Sequence, residues 1–240
     1  MENLKIADKY KNIVRDFVQG LKDVYREDLI SAILYGSAAS GEFASRYSNL
    51  NLVIILRNTD PPTLKRASKL MRKFRMINGL FMTEEYVRTS TDVFPIEFLD
   101  MKENHSVLYG RDILKDIRVD TRNLRFQCEQ ELKAKLIKIK QAYPLVCGNA
   151  PALRRMLFAS VTSILHILRN VLRVKAKEAA YSKDEVLRQL QAEFGIDAQS
   201  WGSILTAKKN NVRLNGDEAG RLLVKFITDL ESIINAVDKI

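Results

Sequence analysis

Gly36 and Ser37 close an apolar stretch, Leu29 to Tyr35, and after a spacer of eleven residues Asn49 and Asn51 flank the start of another. A Gly-Ser turn leaving a strand offers backbone N–H groups and a hydroxyl, with no Cβ at the glycine to block close approach, which suits phosphate oxygens. Residues at i and i+2 of a strand point the same way, so Asn49 and Asn51 form a pair on one face. Hard dications prefer carboxylate oxygens, and an amide supplies one neutral oxygen instead. Asparagine is depleted in strands. Two readings therefore stay open, a pair facing a phosphate site or strand-edge polar residues facing water. One carboxylate, Glu97, stands in the run Phe94-Pro95-Ile96-Glu97-Phe98-Leu99. If that run is a strand, Glu97 either completes the site or points to solvent, and Asp100 reads as a strand-end or turn residue.

The elements that must position these groups follow from hydrophobic periodicity. Tyr10, Ile13, Val14, Phe17, Val18, Leu21, Val24 and Tyr25 keep the helical period, and Leu29 to Tyr35 then reads as a strand. Leu50 and the unbroken run from Leu52 to Leu56 predict a strand buried on both faces. Pro61 and Pro62 stop it, and Leu64, Ala67, Leu70, Met71, Phe74 and Ile77 predict one helix after them. Val93 to Met101 is the third strand expected, and Tyr109-Gly110 reads as a turn. Beyond residue 120 only helical stripes occur. The first, Leu124 to Tyr143, is broken by Pro144 and Gly148. A second runs from Leu153 to Leu172, a third opens with a capping-box pattern at Ser182 and Glu185 and stops near Gly195, and a fourth spans Leu222 to Val237 behind an Asn215 cap. The expected organisation is a domain over 1–120 and an antiparallel helical bundle over 121–240.

Charge divides along the same boundary. Residues 1–120 carry 19 Lys and Arg against 17 Asp and Glu, whereas residues 121–240 carry 20 against 12. Such a basic half is either a solvated face or a surface for nucleic acid. A second cluster, Lys65, Arg66, Lys69, Arg72, Lys73 and Arg75, has no intervening acid. No uninterrupted run of eighteen apolar residues occurs, which argues against a membrane-spanning helix, and the first twenty residues hold no apolar signal core. Cys128 and Cys147 form neither a disulfide framework nor a metal-ligand pattern. A cytoplasmic protein without membrane partners is the expectation, and apolar faces on several helices leave room for a homodimer.

Other residue types that could act chemically have plainer readings. Glu42 reads as a surface or capping residue, His166 as a helix residue, Cys128 as core and Trp201 as packing between helices. His105 has no neighbouring nucleophile or ligand motif in the sequence.

Gly36-Ser37, the spacer, the strand at Asn49–Leu56 and the segment around Glu97 together resemble the polymerase-β-like nucleotidyltransferase superfamily, in which Gly-Ser is followed by Asp-x-Asp on a strand. The resemblance covers about the first 115 residues. It implies an α+β fold, an N-terminal nucleotidyltransferase-like mixed sheet with flanking helices followed by a C-terminal α-helical bundle. It also implies a nucleoside triphosphate held by Gly36, Ser37, Asn49 and Asn51, with Mg²⁺ and Glu97 as the third carboxylate. In the superfamily two metal ions clamp the attacking and leaving oxygens. Here Asn-x-Asn stands in place of Asp-x-Asp, removing two charges from that clamp. Three functions are open at this point. The first is a catalytically degenerate nucleotide-binding or interaction module. The second is an active transferase moving NMP to a small molecule, protein or RNA through Glu97, and the third a nucleic-acid-binding protein working through its basic helical half.

Overall fold

The structure, a computed structural model, describes residues 4–41, 43, 49–175, 180 and 182–240. The chain divides into two compact units, Met1–Val119 and Asp120–Ile240.

The first unit opens with helix α1 (Asp8–Tyr25) and a 3-10 turn, Arg26–Asp28, that feeds strand β1 (Leu29–Tyr35). Helix α2 (Ser37–Ser40) and strand β2 (Leu50–Leu56) follow, then α3 (Pro61–Arg66), α4 (Ser68–Lys73) and strand β3 (Ile77–Met82). The unit closes with α5 (Glu84–Thr89), α6 (Pro95–Glu103) and strand β4 (His105–Gly110). Among the described residues the strands form one mixed sheet in the order β3-β2-β1-β4. β1 pairs antiparallel with both β2 and β4, and β2 pairs parallel with β3.

Strand side chains alternate between faces, and both faces of this sheet are covered. Leu34, Leu50, Leu52, Ile54 and Leu56 join the buried face of α1 in one apolar cluster. Ile33, Val53 and Ile55 join Val87, Phe98, Met101, Leu114 and Ile117 in another.

Several sequence expectations need correction. The stretch Leu64 to Ile77 is not one helix but α3, α4 and the first residue of β3. Buried Ala67 ends α3 and precedes α4, and Ile77 turns its apolar side chain into the sheet core instead of a helix stripe. The run Val93 to Met101 is not a strand. Pro95 sits in the first turn of α6, where its missing N–H costs nothing, and Pro95, Phe98 and Met101 recur every three residues on a buried face, with Ile96 buried as well. The alternation Ile96-Glu97-Phe98 imitates a strand over three residues only. Tyr109-Gly110 is not a turn but the end of β4.

In the second unit α7 (Thr121–Val146) and α8 (Ala150–Val174) pack as a hairpin, followed by α9 (Lys183–Phe194), α10 (Ala198–Lys209) and α11 (Gly216–Val237). Helix α8 packs against α7, α9, α10 and α11, and most of its residues from Ile164 to Leu172 are buried. Pro144 lies inside the last turn of α7 instead of ending it. Ser182 caps α9 by position but makes no side-chain cap hydrogen bond, whereas Asn215 accepts from Glu218 N at the start of α11 as the sequence suggests. Helix α8 is long and apolar enough to cross a bilayer by length and composition, so the test of uninterrupted apolar runs is too strict. Of its most apolar stretch, 61% is buried inside the unit, as in the central helix of a bundle.

Helix α10, which the sequence reading does not contain, carries Trp201 into the core. The indole is fully buried, lies 4.4 Å from the Phe226 ring and donates Nε1–H to Asp229 Oδ2 at 2.9 Å. Asp197 caps the same helix, accepting from Gln199 N and Ser200 N. Its ion pair with Lys225 and its bonds from Ser200 lower its pKa to about 2.

Two outcomes follow from these positions. A carboxyl with a depressed folded-state pKa contributes stability that is complete above its unfolded value of about 3.9 and is lost as pH falls through the folded value. Acid unfolding followed by the emission of Trp201, the one tryptophan, should therefore steepen between about pH 4 and pH 2, and Asp197→Asn should flatten that segment. Gly110 holds φ +76, and a Cβ there would lie 1.9 Å from Ile30 O. Gly110→Ala should cost at least about 2 kcal/mol in urea unfolding by pushing β4 off β1; an unchanged midpoint would contradict the register described.

Candidate phosphate site at the end of the sheet

Strand β1 ends at Tyr35, and the chain turns sharply at Gly36. There φ is 73° and ψ is −146°, a region that a side chain makes costly. Gly36 N donates to Asn104 O at 3.0 Å, which ties the turn to the start of β4. Gly36 O accepts from Ala39 N and Ser40 N at 2.9 and 3.0 Å, which opens the single helical turn α2. The N–H groups of Ser37 and Ala38 lie in that first turn, where no acceptor exists within the helix.

Register brings four polar side chains into a row beside this turn. Asn51 stands opposite Asn78 on one side and Tyr35 on the other, and Tyr35 stands opposite His105. Residues paired directly across a sheet share a face. Asn78 Nδ2 donates to Asn51 Oδ1 at 3.2 Å. That bond sets the orientation of the Asn51 amide, because its oxygen is turned to β3 and its Nδ2 toward Gly36. A Cβ built on Gly36 would sit 3.5 Å from that nitrogen. Gly36 thus leaves open the space into which Asn51 presents a donor.

The other end of the row is braced by a histidine. His105 Nδ1 lies 2.8 Å from Lys102 O, and Nε2 lies 3.0 Å from Asp112 Oδ1. Both ring nitrogens therefore face protein oxygens, and the ring serves to fix β4 to the segment after it. Asp112 also accepts from Lys115 N at 3.0 Å. Beside it, burial pushes the Tyr35 hydroxyl pKa up, so the phenol is a neutral donor near neutral pH. The Asn104 Nδ2 group is buried and has no hydrogen-bond partner among the described residues.

Of the residues singled out in the sequence, the structure brings Gly36 and Asn51 together. Ser37 follows Gly36 in the turn, and Asn49 is exposed immediately before β2. Glu97 lies in the first turn of α6, exposed, on a helix instead of a strand. The sheet register that joins Asn51 to Tyr35 does not include it. Glu42 and residues 44–48 of the spacer lie outside the described residues. Sequence reasoning missed Tyr35, Asn78, Asn104 and the His105–Asp112 pair. Tyr35 was legible in principle, since an antiparallel partner strand opening near Asn51 must set its first residues opposite the residue before Gly36.

Among the described residues no group of three His, Cys, Asp or Glu side chains could hold a metal ion. No protein-family model matches the sequence, and no curated protein matches it. A solved structure does. The crystal structure of spectinomycin adenyltransferase AAD(9) from Enterococcus faecialis with ATP and spectinomycin aligns over 94% of this chain and 100% of that one. The TM-score is 0.60 at 10% sequence identity. The fold is that of a nucleotidyltransferase. The α+β architecture, a mixed sheet followed by a helical region, agrees with the expectation from Gly36-Ser37 and the strand after it.

If His105 acts as a brace, His105→Phe should keep its volume while taking away the ring nitrogens that face Lys102 O and Asp112. Urea unfolding should then report a loss of about 1–3 kcal/mol, and a change below about 0.5 kcal/mol would remove the brace.

Proposed function

We propose that the nucleotidyltransferase fold of this chain binds a nucleotide without the two-metal clamp, as a catalytically degenerate module. The observation that carries the reading is the orientation of Asn51, whose oxygen is engaged by Asn78 and whose Nδ2 is directed toward Gly36. An Asp in that place would present only acceptors and would need a cation between itself and a phosphate. The Asn51 amide offers an N–H donor instead and can meet a phosphate oxygen directly. Gly36 contributes open space, and Ser37 a hydroxyl and an N–H. The neighbouring enzyme's crystal structure contains ATP, which supports a nucleotide as the ligand class here.

Mg²⁺ does not fit the donor set. Asn49 and Asn51 supply no charge, and the Asn51 oxygen is turned away from the turn. Loss of a group that merely orients a metal ligand already costs 10–100-fold in affinity or activity, so loss of two ligating carboxylates removes the clamp. No step of nucleotidyl transfer is assigned to Glu97.

Calorimetry with ATP tests the reading. Binding in EDTA should match binding in MgCl₂ within about threefold, and Asn51→Ala should weaken it about tenfold or more, the loss of one hydrogen bond to a charged group. Asn51→Asp should abolish binding in EDTA and restore it partly with Mg²⁺. A requirement for Mg²⁺ in the unaltered protein, or a nucleotidylated product that Glu97→Ala abolishes, would overturn it.

A further inference from the structure

From Pro61 to Thr83 the chain contains no Asp or Glu, and it carries Lys65, Arg66, Lys69, Arg72, Lys73 and Arg75. All six are exposed. Arg66 is used internally, donating to Asp28 Oδ2 at 2.7 Å and to Val24 O. The other five have no ion pair among the described residues, though Lys73 lies 5.2 Å over the Phe74 ring.

The scaffold beneath these cations is rigid. Phe74 meets Phe17 edge-on at 5.6 Å, and Leu70 fills the space a Cβ would take at Gly20, 2.4 Å from it. Leu70, Met71 and Phe74 pack on the cluster around α1, so α4 is held by its apolar side with the charged side outward. The path also has a direction. Leu50 N donates to Met76 O at 2.9 Å, which sets the residue before Met76, Arg75, beside the start of β2 and hence near Asn49. The cations thus lead along α3 and α4 toward the same end of the sheet as the Gly36 turn.

We propose that this face binds the sugar–phosphate backbone of a nucleic-acid strand. Evenly repeated phosphates answer a row of exposed cations lacking acids, and their neutralisation releases counterions. A lipid surface is the weaker match, because interfacial helices interleave cations with outward apolar residues, whereas here Ala67, Leu70, Met71 and Phe74 turn inward and Leu64 is the one large apolar side chain on α3 and α4 left exposed. No aromatic side chain on α3 or α4 is exposed for base stacking, so recognition is of backbone and not of sequence. The surface is separate from the basic C-terminal half and does not require the Gly36 site to hold a nucleotide.

The probe is a fluorescein-labelled single-stranded 20-mer of mixed sequence, titrated by anisotropy without ATP from 50 to 300 mM salt. Five phosphate contacts on a single strand predict a log–log salt slope of about −3.5. The combined change Lys69→Glu, Arg72→Glu, Lys73→Glu should bring the slope to about −1.4 and weaken binding at low salt about 100-fold. The milder Lys69→Gln, Arg72→Gln, Lys73→Gln should give an intermediate loss with unchanged thermal unfolding, and neither should alter ATP binding. Absence of oligonucleotide binding at 50 mM salt, binding that survives the α4 charge reversal, or binding only to phosphatidylserine vesicles would each overturn the proposal.

Discussion

Burial of β1 and β2 on both faces is the constraint on which the rest of the first unit depends. A strand with one wet face tolerates local slippage more readily than one whose every side chain must fit an apolar layer. A shift of one residue would exchange the inward and outward sets of the whole strand. In β2 that would exchange Leu52 and Ile54, which pack with α1, for Val53 and Ile55, which pack with α6. Apolar packing thus locks Asn51 opposite both Tyr35 and Asn78, although none of the three is a core residue. The polar row beside Gly36 is a consequence of apolar register, and its geometry is as firm as the core that sets it.

That firmness gives the amide of Asn51 its meaning. On a mobile loop an asparagine could present either oxygen or nitrogen to a ligand. Here the neighbouring Asn78, itself fixed by parallel pairing of β3, engages the oxygen. In this arrangement the Asn51 Nδ2 is left on the side of Gly36. Gly36 completes the arrangement, because its backbone conformation excludes a side chain at the point that the nitrogen faces. His105 and Asp112 hold the opposite end, where β4 passes into the following segment.

Much of this was legible in the sequence where one physical signal dominated. Helix α1, strands β1 and β2, the Gly36 turn and the stripes of α7, α8, α9 and α11 each rest on a long, consistent hydrophobic period or a residue type with a single use. The failures share a cause, which is a short element whose few side chains fit two periods. Ile96 and Phe98 alternate like a strand, while Phe98 also shares a helical face with Pro95 and Met101, and only the fold decides between them. Ile77 extends the helical spacing of Leu70 and Phe74 yet begins β3. β4 contains polar and half-buried residues because it lies at the sheet edge, so it lacks the apolar run that exposes β2. The site was legible only as far as local geometry reaches. Gly36, Ser37 and Asn51 come from adjacent strands, while Asn78 and His105 arrive through pairings that no spacing reveals.

The misplacement of Glu97 carries the largest functional consequence. On a strand beside Asn51, a carboxylate would share a fixed face with the amides and could keep one metal position alive. On α6 it stands on a helical layer beside the sheet, and the sheet row contains amides, a phenol and an imidazole but no acid, with Asp112 just beyond β4 and engaged with His105. The polar row shares the face of the sheet that carries Val53 and Ile55, whereas α4 packs on the opposite face, so the row and the cations of α3 and α4 are distinct surfaces at the same end. Carboxylates in the row would repel phosphate until a dication intervened. With amides in the row that repulsion is absent.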